Sequence, residues 1–193
     1  SMGGIGPFKF LHDNKIASAA GNAEEYSVSD TKALESSPLA GKRILFLGSS
    51  VTRGACSLDE SMADYISKLD QCDVVKEAVS GTTLSTEKSN SYIERLNKVD
   101  TSQQFDIVVC QLSTNDASKK LTMGEISENK EIADFDTATV IGAMEYIISY
   151  CTDTWDCPVV FYTGTKYDSQ MYGEMVKALM LLQDKWDIGV INL

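Results

Sequence analysis

A chain of 193 residues, 43% hydrophobic and with only three prolines, can bury the core of one ordinary domain and does not read as disordered, fibrous or repetitive. Its net charge of -11, without any basic cluster, argues against nucleic acid, whose phosphates need lysine and arginine, and equally against an anionic membrane surface. The five cysteines are odd in number and include no C-x-x-C pair, so they predict no disulfide framework, and no stretch is long enough for a transmembrane helix.

Residues 1–40 lack sustained periodicity and read as an arm or linker ahead of a domain over 41–193. Ser1-Met2-Gly3 reads as an expression remnant, which leaves the compartment open: cytoplasmic, or secreted with its signal removed. Arg43–Leu47 is a short apolar run of strand type. Leu58, Met62, Tyr65, Ile66 and Leu69 recur at helical spacing over 57–71, and Ser57 with Glu60 predicts the capping box. Residues 73–78 form a second strand, 89–99 a weaker helix, and 105–112 (F-D-I-V-V-C-Q-L) a strong buried strand. Cys110 within that run is a small core residue. Residues 116–135 are polar and read as a long loop or lid. A helix over 139–150, a strand over 158–163, a helix over 171–186 and a strand over 188–193 complete the pattern.

Strand alternating with helix five times predicts an α/β fold, a parallel sheet with helices on both faces and right-handed crossovers. Ligands in such sheets bind beyond the carboxyl ends of the strands, which singles out the loops at 48–56, 79–86, 113–135 and 164–170. The first reads G-S-S-V-T-R-G, the second V-S-G-T-T-L and the third L-S-T-N-D. The first admits three uses: a plain turn, a phosphate cradle aided by Arg53, or a nucleophile turn that presents Ser50. It lacks G-x-x-x-x-G-K-[ST], so it is no P-loop. A serine, a glycine and an asparagine on three successive loops suit acyl transfer. The oxyanion created by serine attack needs preorganised donors, here the serine amide, the Gly81 amide and the Asn115 side chain. The plainer uses are a turn glycine at Gly81 and a helix cap at Asn115-Asp116. Asp116 and Asp168 lack ligand spacing, so no metal is expected, and neither is a cofactor. Cys56 reads as structural.

Together these blocks resemble the SGNH (GDSL) hydrolase family. Gly48-Ser49-Ser50-Val51-Thr52 matches the block Gly-Asp-Ser-hydrophobic-Thr, with serine in place of aspartate. Gly81 matches the glycine of the second block, and Ser113-Thr114-Asn115-Asp116 matches Gly-x-Asn-Asp with its glycine replaced. The resemblance covers residues 42–193. It implies a three-layer, flavodoxin-like fold with a five-stranded parallel sheet. It implies Ser50 as nucleophile, Gly81 and Asn115 as oxyanion-hole donors, and a small-molecule ester as substrate, an acyl or acetyl group on a sugar or lipid. The family's Asp-x-x-His block follows the fifth strand, whereas the given sequence closes in that strand and its one histidine is His12. The expectation is therefore a nearly inactive 193-residue chain whose apolar surface around 186–193 promotes self-association. Two binding-module readings stand beside the enzyme: a flavodoxin-like phosphate binder, and a non-catalytic SGNH-like domain that holds acyl or sugar-ester ligands. Tyr162, Lys166 and Tyr167 are expected to shape the substrate site.

Overall fold

A computed structural model of the chain describes residues 13, 15–165 and 167–193. Five strands form one sheet: β1 (Arg43–Gly48), β2 (Asp73–Ala78), β3 (Ile107–Gln111), β4 (Val159–Tyr162) and β5 (Gly189–Ile191). Every pairing is parallel and the spatial order is β2-β1-β3-β4-β5. This is the doubly wound order of flavodoxin-like folds, in which the chain reverses direction of winding between β1 and β3.

The alternation of side chains along β1 feeds two cores. Leu45 and Leu47 join the larger one, built with Val108, Cys110 and Phe161 against the helices α3 (Tyr92–Leu96), α5 (Val140–Trp155) and α6 (Gln170–Trp186). Ile44 and Phe46 face the other way, toward Ala63 of α2 (Met62–Asp70) and Leu39. The segment before β1 is tied to the domain: the Leu34 amide donates to the Leu69 carbonyl, and the Val28 amide to Glu60 Oε2. Two further helices are short, α1 (Ser50–Arg53) and α4 (Thr114–Ser118), and each follows directly on a strand of the predicted site.

Several boundaries differ from the sequence pattern. The helix expected from Ser57 begins at Met62, because Leu58 and Asp59 adopt left-handed backbone at φ 55° and 61° that no helix can include. Its capping box is Ser61 with Asp64 rather than Ser57 with Glu60, whose carboxylate instead holds Val28. The weak helix over 89–99 contracts to Tyr92–Leu96 behind a left-handed Asn90 and a Ser91/Glu94 capping box. The helix expected to stop at Tyr150 runs on to Trp155, where Asp156 turns left-handed.

The stretch expected as a long loop or lid is a loop over 119–131, and it is bound down. Buried Glu145 of α5 accepts from the Ser127 amide, the Trp186 indole and Lys185, while Lys185 Nζ also donates to the Ser127 and Asn129 carbonyls, each at 2.6 Å. Trp186 is thereby half-buried against Phe135 with ring centroids 5.9 Å apart; Ile191 and Leu193 are the exposed apolar residues of the C-terminal stretch. Among the described residues, no helix is long and apolar enough to cross a membrane.

Candidate active site

The turn after β1 is built around Gly48 and Gln111. Gly48 is required for space rather than for its backbone angle: a Cβ there would lie 1.8 Å from Thr52 Oγ1 and 2.4 Å from Thr52 Cβ. That closeness lets the chain fold straight from strand into α1, with buried Ser49 as its N-cap and Ser50 as its first residue. The Gln111 side chain, at the end of β3, fixes the turn from below. Its Oε1 accepts from the Ser49 amide at 2.9 Å, the Thr52 amide at 3.2 Å and the Thr52 hydroxyl at 2.7 Å. Tyr162, expected at the substrate, is instead buried beneath the turn and shares a hydrogen bond with Thr52 Oγ1 at 2.5 Å. Burial pushes its phenol up to about 12. The wholly buried Tyr92 hydroxyl faces Ser49 and Ser113 without a hydrogen bond of ordinary length. Half-buried Ser50 points neither amide nor hydroxyl at any hydrogen-bond partner among the described residues.

Gly81 stands in the loop after β2 with φ 78°, a left-handed conformation that L side chains rarely adopt, and a Cβ there would meet nothing within 4 Å. Its carbonyl accepts from Lys119, whereas its amide has no acceptor among the described residues. Asn115 lies in α4, after β3, where the Ser113 hydroxyl caps its amide at 3.0 Å. One hydrogen of the Asn115 Nδ2 donates to the Thr82 carbonyl at 2.8 Å, next to Gly81, and the second stays uncommitted. The adjoining Asp116 is buried and accepts from the Leu84 amide at 3.0 Å and the Ser85 amide at 3.2 Å. Burial raises its carboxyl to about 6, against the pull of those amides and of Lys119.

Ser50, Gly81 and Asn115 thus leave the carboxyl ends of three neighbouring strands, and the register pairs Gly48 with Ala78 and Leu47 with Cys110. Further side-chain bonds join the loops. Asn115 ties the third to the second, and the nearly buried Arg95 ties the second to the first. Arg95 Nη2 donates to the Gly48 carbonyl at 2.9 Å and to Thr82 Oγ1 at 3.1 Å, and Nη1 to the Glu77 carbonyl and carboxylate, both at 3.0 Å. Sequence reasoning missed Arg95 and Gln111. The available signal was polarity out of place: a glutamine closing the apolar run I-V-V-C-Q, and an arginine between Ile93 and Leu96. His12 and Lys166 lie outside the described residues. Tyr167 and Asp168 are exposed.

No protein-family model matches the sequence, and no match is found among curated proteins. Solved structures do match. A protein assigned as a GDSL-like lipase from Bacteroides ovatus superposes with a TM-score of 0.65 at 18% identity, over 80% of this chain and 86% of its own. A family two carbohydrate esterase from Clostridium thermocellum, solved with cellohexaose, gives 0.60 at 16% identity, over 84% of this chain and 55% of its own. The fold of this chain is therefore that of the SGNH (GDSL) hydrolases.

Proposed function

We propose that the chain is a serine ester hydrolase acting on a small acyl ester of a sugar or lipid. Ser50 Oγ forms the bond to the ester carbonyl carbon and gives up its proton to a base. The carbonyl oxygen becomes the oxyanion, held by the amides of Ser50 and Gly81 and by Asn115 Nδ2. Collapse expels the alcohol and leaves an acyl-serine for water to cleave. In the family the base follows the fifth strand, here β5 (Gly189–Ile191).

One observation carries this reading: the amides that flank Ser50 are committed within the turn, whereas the groups that acyl transfer needs are left without a partner among the described residues. Ser49 and Thr52 amides are committed to Gln111, and one Asn115 hydrogen to Thr82. The Ser50 amide and hydroxyl and the Gly81 amide remain unengaged among the described residues. The same facts disfavour the phosphate cradle. Two of its amides point inward, and Arg53 is engaged by Asp59 at 3.0 Å.

The test is hydrolysis of p-nitrophenyl acetate with imidazole in the buffer to stand in for a histidine base. Mass spectrometry of the peptide containing Ser50 looks for the acetyl adduct. The expected result is an adduct on Ser50 and loss of turnover in Ser50→Ala. Hydrolysis that Ser50→Ala leaves unchanged would overturn the assignment.

A further inference from the structure

The chain between α1 and α2 is more contorted than a helix start requires. Leu58 and Asp59 both hold positive φ. Strained backbone of this kind persists where its surroundings impose it, and it clusters at ligand clamps. Here the effect is to turn an apolar side chain outward: Leu58 is 55% exposed, beside Val51 at 60% and Met62 at 39%. All three line one cavity of about 320 Å³. Its far wall is the segment ahead of the domain, which contributes Gly21, Asn22 and Tyr26.

Docking of that segment engages three of the cavity's polar side chains. Asn22 Nδ2 donates to the Cys56 carbonyl at 3.0 Å, Glu60 Oε2 accepts from the Val28 amide at 2.9 Å, and the Tyr65 hydroxyl donates to the Tyr26 carbonyl. Leu58, Val51, Met62 and the ring of Tyr26, itself 56% exposed, form the apolar part of its surface, with Ser27, Ser57 and Ser61 between them. The one charged lining residue is Glu60, which disfavours an anionic ligand. The volume lies at the small end of ligand pockets, about 300–1,000 Å³. Val51, which lines the cavity, follows Ser50 directly, their Cα atoms about 3.8 Å apart.

We infer that this cavity receives the uncharged, apolar acyl chain of the ester attacked at Ser50. The inference rests on the ester-hydrolase reading for the reaction and on the cavity alone for the chain. Each methylene buried there favours the longer ester by about four-fold when fully covered. With partial cover, kcat/KM for p-nitrophenyl octanoate exceeds that for the acetate on the order of 10²-fold.

The experiment has two arms on the full 193-residue chain with the same imidazole supplement. The first measures the octanoate-to-acetate ratio of kcat/KM in the parent, Leu58→Asn and Met62→Glu. Asparagine tolerates left-handed backbone and an acidic residue suits a helix's first turn, so both variants should keep the fold. The ratio is expected to fall about ten-fold or more in each, as apolar cover is replaced by polar. The second arm uses 1-octanol, which cannot react, and reads the methyl NMR signals of Val51, Leu58 and Met62. These signals are expected to shift in the parent. Signals unmoved by octanol, or a ratio that neither variant changes, would overturn the inference. If octanol binds but Ser50→Ala hydrolyses as fast as the parent, the Ser50 mechanism fails while the cavity's preference for apolar chains stands.

Discussion

Gln111 and Thr52 stand 59 positions apart, yet Gln111 Oε1 lies 2.7 Å from the Thr52 hydroxyl and 3.2 Å from its amide. With the Ser49 amide at 2.9 Å, a single oxygen at the end of β3 accepts three donors from the turn that carries Ser50. Gln111→Leu removes that acceptor and leaves two amides without a partner in a buried place. Each costs about 1–3 kcal/mol, so urea unfolding should show a loss of about 2–6 kcal/mol. A change below about 0.5 kcal/mol would show that the turn holds its shape without Gln111.

Asn115→Ala should act twice. Losing the proposed oxyanion donor should lower turnover of p-nitrophenyl acetate by about 10²–10³-fold. Losing the bond to the Thr82 carbonyl should also lower stability by about 0.5–1.5 kcal/mol. Unchanged turnover with the expected loss of stability would confine Asn115 to tethering the second loop.

The two site glycines should respond differently to the same substitution. In Gly81→Ala the added Cβ meets nothing, and only the φ of 78° is strained, a cost of about 1–2 kcal/mol. In Gly48→Ala the Cβ would overlap both Thr52 Oγ1 and Thr52 Cβ, so the turn must open. Thermal unfolding should place Gly48→Ala well below Gly81→Ala. Adding Thr52→Ala should not restore it, because the Cβ of residue 52 still lies 2.4 Å from the new methyl.

Asp116 gives stability a pH dependence of defined sign. Its carboxyl is raised to about 6 in the folded chain from 3.8, chiefly by burial. The folded state therefore holds the proton more tightly than the unfolded state between about pH 4 and pH 6. The contribution of the protonated group is fully present below pH 4 and is lost as pH rises through 6. Urea unfolding of the parent minus that of Asp116→Asn should show the difference shifting in favour of the parent as pH falls from 7 to 5. A difference that is flat across that range would show that Asp116 does not titrate there.

The order of elements was legible because it rests on local physics. Apolar runs such as I-V-V-C and the 3.6-residue spacing of Val140, Ile141, Met144, Ile147 and Ile148 state strand and helix within a few turns of chain. Five such alternations permit essentially one kind of sheet, and the three loop motifs then fall at the carboxyl ends of its first three strands. Helix boundaries were less legible where backbone conformation decided them: nothing in S-L-D-E announces that Leu58 and Asp59 turn left-handed, since neither is glycine. Least legible were the residues whose partners are distant in sequence. Arg95 reaches Gly48 across 47 positions, and Gln111 reaches Ser49 across 62. Glu145 and Lys185 meet across 40 to turn an expected lid into a tethered wall. In each case a buried polar group must find a partner, and which one it finds depends on which strands lie side by side. The sequence by itself determined the α/β alternation and the candidate trio of Ser50, Gly81 and Asn115. Only the tertiary structure decided what holds those loops together, because the partner of a buried polar group is fixed by which strands lie side by side.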